Sequence, residues 1–451
     1  MQDTERLTLK TKIGYALGDF GGSIPFQSVT LFIVFYFTDV FGLSAAAAGL
    51  IFAIAKLWNA VCDPAIGSFS DRLQTRWGQK RPFLLFGAVP FGISFFLLVA
   101  APQIEAKFAY ALVTFLLFST AYSIVSVPYG AITASISSSP EERSSLTAYR
   151  MAFAILAILF VGGATRPIVD AFTTPQEGFR FVGLLYGVMA AIFTIVTFAT
   201  TYERSRVTIV EHLGFIERLR IVKSNVPFLL LNGAIIVHLA AITVVATLVN
   251  YYFKYNLRSE ALTPLAFVGL FVAAALTLPL WLKLEKKIGR KSTFNAGMAL
   301  LSLMLVPLLL IEHPNPYVVI AVMIVAGAGM STIYVFPWSM VPSTIDYSEW
   351  KTGQRHEGLF YGFFYFSFKA AAALGGLLAG LGLDLAGYSA SAGESGTLGD
   401  GTLTGIRILL TALPIALMMA GIAFVHFYPI DEAMERQFRN SREGKQGRQN
   451  D

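Results

Sequence analysis

Long apolar runs, each with at least the ~20 residues a helix needs to cross ~30 Å of hydrocarbon, recur about twelve times along the chain, from Ile13 to Phe41 through Thr402 to Tyr428. The runs are continuous, which predicts α-helices and not the ~10-residue alternating strands of a membrane barrel. Between them the polar gaps are short, and Lys and Arg concentrate in alternate ones. The basic gaps hold Arg6, Lys10 and Lys12; Arg72, Arg76, Lys80 and Arg81; Arg204 to Lys223; Lys283 to Lys291; and the tail after Tyr428. Such a bias sets orientation, with the basic gaps in the cytoplasm. The pattern predicts an all-α membrane protein of twelve transmembrane helices, both termini cytoplasmic.

Composition sharpens this picture. With 55% hydrophobic, 14% aromatic and only 14% charged residues among 451, the chain has too little polar surface for a soluble globule of its size. The net charge of +6 needs no nucleic-acid partner, because the basic residues stand beside the spans, where anionic headgroups are the expected neighbours. Cys62, the one cysteine, lies inside the second apolar run, so no disulfide can form within the chain. The first run is too long for a signal-peptide core and lacks a small-residue cleavage site, so it is expected to remain as the first span.

The longest internal polar gap, Tyr202 to Val226, splits the runs into two sets of six. It predicts an N-terminal six-helix bundle over residues 1–201, a cytoplasmic linker over 202–226, a C-terminal six-helix bundle over 227–428 and a cytoplasmic tail over 429–451. In the linker, Ile209, Leu213, Ile216, Leu219 and Val222 recur at helical spacing and predict a short helix at the membrane surface. The halves also echo each other. Between the second and third spans the chain reads Gly67-Ser-Phe-Ser-Asp71-Arg72, then Arg76-Trp-Gly78-Gln-Lys80-Arg81-Pro82; between the eighth and ninth it reads Leu284-Glu285-Lys286-Lys287-Ile-Gly289-Arg290-Lys291. In each, an acid followed by a base opens a tight turn, and a Gly precedes paired cations that can meet helix ends or headgroups.

The first of these loops resembles the signature of the major facilitator superfamily, and the second is similar to its degenerate copy. A narrower resemblance runs through both halves. It is carried by Gly14-Tyr15-Ala-Leu-Gly18-Asp19-Phe20-Gly21, Tyr36-Phe-Thr38-Asp39-Val-Phe-Gly42-Leu43, Lys56-Leu-Trp58-Asn59-Ala-Val-Cys62-Asp63-Pro64, Ile345-Asp346-Tyr347-Ser-Glu349-Trp350-Lys351-Thr-Gly353 and Glu357-Gly358-Leu359-Phe360-Tyr361-Gly362. In these the chain resembles the glycoside-pentoside-hexuronide:cation symporters, the melibiose permease-like branch. The resemblance implies the major facilitator fold, alternating access, and uptake of a small sugar-like solute with a coupling cation, H+ or Na+, with no enzymatic activity and no other cofactor. A monomer among the lipids of a bacterial inner membrane is expected.

Of the 34 Lys and Arg, only Lys56, Arg150, Lys369 and Arg407 are expected within apolar spans, against the carboxylates Asp19 and Asp63, with Asp384 near a span end. Charges in hydrocarbon default to a cavity or to one another. Arg407 and Asp384 are expected close to the outer interface, where snorkelling is cheap. In the second span Lys56, Asn59 and Asp63 share one helical face, with Cys62 beside them. The resemblance implies the cation site here, with an aspartate at the position of Asn59 and an asparagine at that of Cys62; this chain keeps only Asp63. A lone carboxylate can take up and release a proton, whereas Na+ needs several hard oxygens, so proton coupling is expected. A fixed Lys56–Asp63 pair is the structural alternative. Ser123 stands where the family has a threonine near the cation, and Lys369 where its lysine approaches the span-two carboxylate. The coupling set is therefore Asp63, Asn59, Cys62, Ser123, Lys56 and Lys369.

Substrate contacts are expected from Asp19, Ser23 and Gln27, a polar stripe at four-residue steps down the first span, and from Tyr122, Ser126 and Tyr129 in the fourth. Arg150, Trp338, Tyr365 and Lys369 complete that set, Arg150 by its match to a family arginine that binds sugar. Ser23 and Ser126 replace acids that bind sugar in melibiose permease, which argues against a galactoside preference. The cytoplasmic gate motif comprises Gly67, Asp71, Arg72, Gly78, Lys80 and Arg81. His212, His238, His313, His356 and His426 lack metal-ligand spacing, and no Gly-rich loop ends in Lys-Ser/Thr, so neither a metal site nor ATP-driven pumping is expected. His238 reads as a core histidine in preference to a proton shuttle. A lipid or lysolipid carrier of the same fold and a non-transporting membrane sensor stay open as alternatives.

Overall fold

The computed structural model describes residues 7–136, 140–203, 215–354, 356–394, 398–431, 434 and 437–438. The first half contains α1 (Leu9–Phe35), α2 (Ala45–Arg72), α3 (Arg81–Leu98), α4 (Lys107–Ile136), α5 (Pro140–Asp170) and α6 (Pro175–Thr200). A short α7 (Phe215–Ser224) covers the end of the predicted linker, whose preceding residues 204–214 lie outside the described ones. The second half contains α8 (Val226–Tyr251), α9 (Thr263–Ile288), α10 (Arg290–Leu310), α11 (Pro316–Met330), α12 (Phe336–Thr352), α13 (Glu357–Leu385), a short α14 (Ala390–Glu394) and α15 (Asp400–His426). α11 and α12 join through a 3-10 turn into one stretch, and among the described residues twelve stretches are long and apolar enough to cross a membrane. Among the described residues there is no strand, only an isolated bridge between Thr75 and Gly78.

The helices begin where the sequence can satisfy their first N–H groups. Side-chain oxygens of Thr8, Ser44, Thr174 and Asn225 accept from the backbone of Thr11, Ala47, Glu177 and Phe228. Proline opens α3, α6, α8, α9, α11 and α12, at positions where a missing N–H leaves no bond unmade. Once inside hydrocarbon, a helix satisfies its own backbone. Outward-facing Leu276, Leu280, Leu303 and Leu310 are exposed as side chains facing lipid should be. α1 and α8 end alike, each in one π-helical turn, Tyr36–Val40 and Tyr252–Asn256.

Packing repeats between the halves. α1 lies against α5 and α6, α3 against α4 and α6, and α2 against α4. One half later, α8 lies against α13 and α15, α10 against α11 and α15, and α9 against α11. The cross-contacts repeat too, α2 with α13 and α5 with α9. The result is two six-helix bundles of like construction, joined along two symmetric seams. At the α2–α13 seam the backbones nearly touch: a Cβ on Gly49 would lie 2.9 Å from the Gly376 carbonyl oxygen and from the Gly380 Cα. Small residues permit that approach.

Candidate functional site

α2 supplies the centre of the site. Its contact with α13 sets the Asp63 carboxylate on the Lys369 ammonium, an ion pair that crosses from one bundle to the other. Ser123 on α4 donates its hydroxyl to the other oxygen of Asp63 at 2.5 Å, and Lys369 also donates to the Asn59 backbone carbonyl at 3.3 Å. Asp63 keeps 28% of its side-chain exposure and Lys369 22%, so the pair is partly open to exchange. The fixed Lys56–Asp63 pair is not formed. Two turns, about 10 Å of rise, separate those residues along α2, whereas α13 brings Lys369 level with the carboxylate. Lys56 is buried instead with its ammonium over the rings of Phe26 and Phe52, at 4.6 and 5.0 Å. Cys62 is a free, half-buried thiol.

A second ion pair joins α1 to α5, with Arg150 Nε 3.1 Å from Asp19 Oδ2. Beneath the guanidinium, 5.0 Å away, lies the ring of Tyr129. That ring stacks on Tyr15, and each tyrosine hydroxyl donates to the other's backbone carbonyl, at 3.1 and 2.8 Å. Tyr129 is therefore a platform that fixes Arg150, its hydroxyl already engaged. Tyr122 stacks on Phe26 at 5.2 Å and stands within electrostatic reach of Asp19 and Arg150, with Ser126 one turn on in hydrogen-bonding range. Phe26 also carries the Lys56 ammonium, so one ring links Lys56 on α2 to Tyr122 on α4. Tyr365 of α13 lies within reach of the Arg150 charge from the opposite bundle. Ser23 and Gln27 are half-buried on α1.

Other predicted residues are placed elsewhere. Trp338 packs on Phe364, Tyr365 and Phe368 at 4.7, 5.2 and 5.4 Å, inside the C-terminal bundle. His238 is fully buried between α8 and α15, its Nε2 3.2 Å from the Met418 carbonyl oxygen, as a core histidine would be. Arg407 faces Glu312 at 3.6 Å and is more buried than snorkelling predicts, at 11% side-chain exposure.

In the gate motif, Gly78 adopts φ 106°, where a side chain would meet the Glu203 carboxylate. Glu203 accepts from the backbone N–H groups of Gln79, Lys80 and Arg81 at 2.9, 2.7 and 2.9 Å. Lys80 donates to Ser70, and Arg81 to the Phe198 carbonyl at the end of α6. The second loop repeats the device: Lys291 donates to the Tyr428 carbonyl after α15, and Arg290 to the Ser339 carbonyl. Arg72 is exposed, Gly67 sits on the α2 face toward Val127, and the Asp71 side chain lies outside the described residues. Glu203 is invisible to a motif reading because it acts from across the bundle.

The larger omission is Asp39, at the π-helical end of α1. Its side chain is 1% exposed. One oxygen accepts from Lys254, at 2.7 Å, and from Tyr255; the other accepts from Tyr388 and Thr38, at 2.6 and 2.7 Å. Thr38 also meets the Tyr251 hydroxyl at 2.7 Å, and Asn250 donates to the Leu31 carbonyl. Nearby, Arg166 joins Glu260 to Asp170. These contacts knit the bundles together on the face away from the termini. Asp39 stood in one of the stretches that carried the resemblance, but Lys254, Tyr255 and Tyr388 come from the other half of the chain, beyond the reach of helical periodicity.

A family model described as MFS/sugar transport protein matches residues 14–432. The uncharacterized symporter YnaJ of Bacillus subtilis (strain 168) is 33% identical over 443 residues, covering 96% of this chain and 94% of its own. The glucuronide carrier protein homolog of Escherichia coli (strain K12) is 29% identical, covering 95% of this chain and 94% of its own. Among solved structures, a bacterial homologue of the human drug peptide transporters PepT1 and PepT2 superposes with a TM-score of 0.69 at 12% identity, covering 95% of this chain and 99% of that one, which establishes the fold.

Proposed function

The chain belongs to the MFS sugar-transport family, and from that premise we propose that it is a proton-coupled symporter for a sugar-like solute in which Asp63 carries the coupling proton. The observation that carries this reading is the Asp63–Lys369 pair, which bridges the two bundles that must rock against each other. Protonating Asp63 removes the charge that holds Lys369, so the seam weakens when the proton arrives and reforms when it leaves. The solute sits between Asp19, Arg150 and Tyr122 on one bundle and Tyr365 on the other, with Ser23, Gln27 and Ser126 lining the approach. Because both bundles contact the solute and the proton frees Lys369 from Asp63, the two binding events act on the same seam and each changes the affinity of the other. Asn59, Cys62 and Ser123 supply too few hard oxygens beside one carboxylate to favour Na+.

Residues 1–201 and 227–428 are the two moving bundles, 202–226 the tether and 429–451 the tail. On the positive-inside bias the basic loops favour cytoplasmic termini, in what we take to be a bacterial inner membrane; the contacts around Asp39 then close the outer face. The protein works as a monomer.

Uptake of labelled glycosides and uronides into proteoliposomes tests the proposal. An inward pH gradient is expected to drive accumulation, and a sodium gradient at fixed pH is not. Steep sodium dependence at fixed pH would overturn proton coupling, and failure of every sugar to accumulate would overturn the sugar reading.

A further inference from the structure

Three cations and two carboxylates meet in the middle of this molecule. Arg150 is matched by Asp19 and Lys369 by Asp63. Among the described residues Lys56 has no ion pair: it is 4% exposed, its ammonium lies over the faces of Phe26 and Phe52, and it stands within electrostatic reach of a second cation, Lys369. Cation–π contact offsets part of the cost of burying an ammonium, but a buried charge ordinarily acquires a counterion.

One turn further along the same face of α2, Asn59 is 5% exposed and its Oδ1 is buried without a donor. A lone cation and an orphaned acceptor, adjacent on one helix, are complementary to a ligand bearing an anion next to a hydroxyl. Lipid headgroups cannot supply it, because Lys56 and Asn59 are buried on the α2 face that carries Asp63 to the α13 seam. The transported solute can, since Phe26 links Lys56 to Tyr122 beside Asp19 and Arg150.

We infer that Lys56 and Asn59 form a subsite for an anionic substituent of the transported sugar, a carboxylate or sulfonate, with a neighbouring hydroxyl donating to Asn59. The inference rests on the sugar-transport reading above and narrows it to acidic sugars. Lys56 is then a ligand of the solute and not a member of the proton site. Arg150 and Asp19, already paired, are left to grip the uncharged part of the ring.

The test is calorimetric binding of two matched probes, the methyl glycosides of glucuronic acid and of glucose, to the purified full-length protein. The wild type is expected to prefer the uronide by at least about tenfold, the worth of one charge-assisted hydrogen bond. Lys56→Met should collapse that ratio toward one and Lys56→Arg should preserve most of it. Should Lys56→Met not fold, the wild-type ratio decides alone. Binding of the glucoside as tightly as the uronide, or a ratio unmoved in Lys56→Met, overturns the acidic-sugar subsite and leaves the sugar reading standing. Binding of neither probe overturns the acidic-sugar subsite as drawn for this ring, and the uptake panel above then decides the sugar reading.

Discussion

Asp63 and Asp39 are both carboxylates of the first bundle held by a lysine of the second, and they are held in opposite ways. Asp39 is 1% exposed and takes donors from Lys254, Tyr255, Tyr388 and Thr38. Asp63 is 28% exposed and takes donors from Lys369 and Ser123. A dry carboxylate with both oxygens doubly satisfied holds four donors in place, so it is built as a latch. A carboxylate with a single cation, one hydroxyl and partial exposure is the one suited to the proposed exchange of the lysine for a proton. The same residue type in the same kind of seam thus takes two roles, and the number of donors and the water around it decide which.

The sharpest way to break this comparison is at Asp63. Asp63→Asn is expected to reduce gradient-driven accumulation to the level of protein-free liposomes while leaving some solute exchange, because an amide cannot cycle a proton. Normal uphill uptake by this variant would falsify the assignment of the switch. At the latch, Asp39→Asn removes the charge from four donors and should weaken outer closure by about 2–4 kcal/mol. The readout is thiol labelling from outside at Gln27→Cys in a Cys62→Ser background, which should accelerate strongly. An unchanged labelling rate means the outer face is held by something other than Asp39.

Double-mutant cycles sharpen the contrast. The interaction energy of Asp39 with Lys254 should exceed that of Asp63 with Lys369, both within about 0.5–3 kcal/mol, in unfolding measurements on the purified protein. Equal or reversed values would erase the distinction between latch and switch. In the proposed solute site, Arg150→Lys should lower affinity about tenfold despite keeping its charge, since the planar fork over Tyr129 is lost; an unchanged dissociation constant would make Arg150 structural. The smallest effect is expected from Asn59→Asp with Cys62→Asn. Two carboxylates and an amide oxygen should confer partial sodium dependence on uptake, and uptake still indifferent to sodium would show that ligand count alone does not choose the ion.

Span number, the division into two halves and the paired loops were all legible along the chain, because burial in hydrocarbon demands continuous apolar helices and because the repeat leaves its mark in sequence order. The face shared by Lys56, Asn59 and Asp63 was legible for the same reason, since helical periodicity is a local property. What only the tertiary structure decided was pairing. Lys369 reaches Asp63 across 306 positions that periodicity cannot span, displacing Lys56 to the faces of Phe26 and Phe52. Glu203 closes over the loop at Gly78, and three tyrosines converge around Asp39 and Thr38, only because the bundles fold back on themselves. A buried charge takes the donor that packing brings within about 3 Å, wherever that donor lies in the chain.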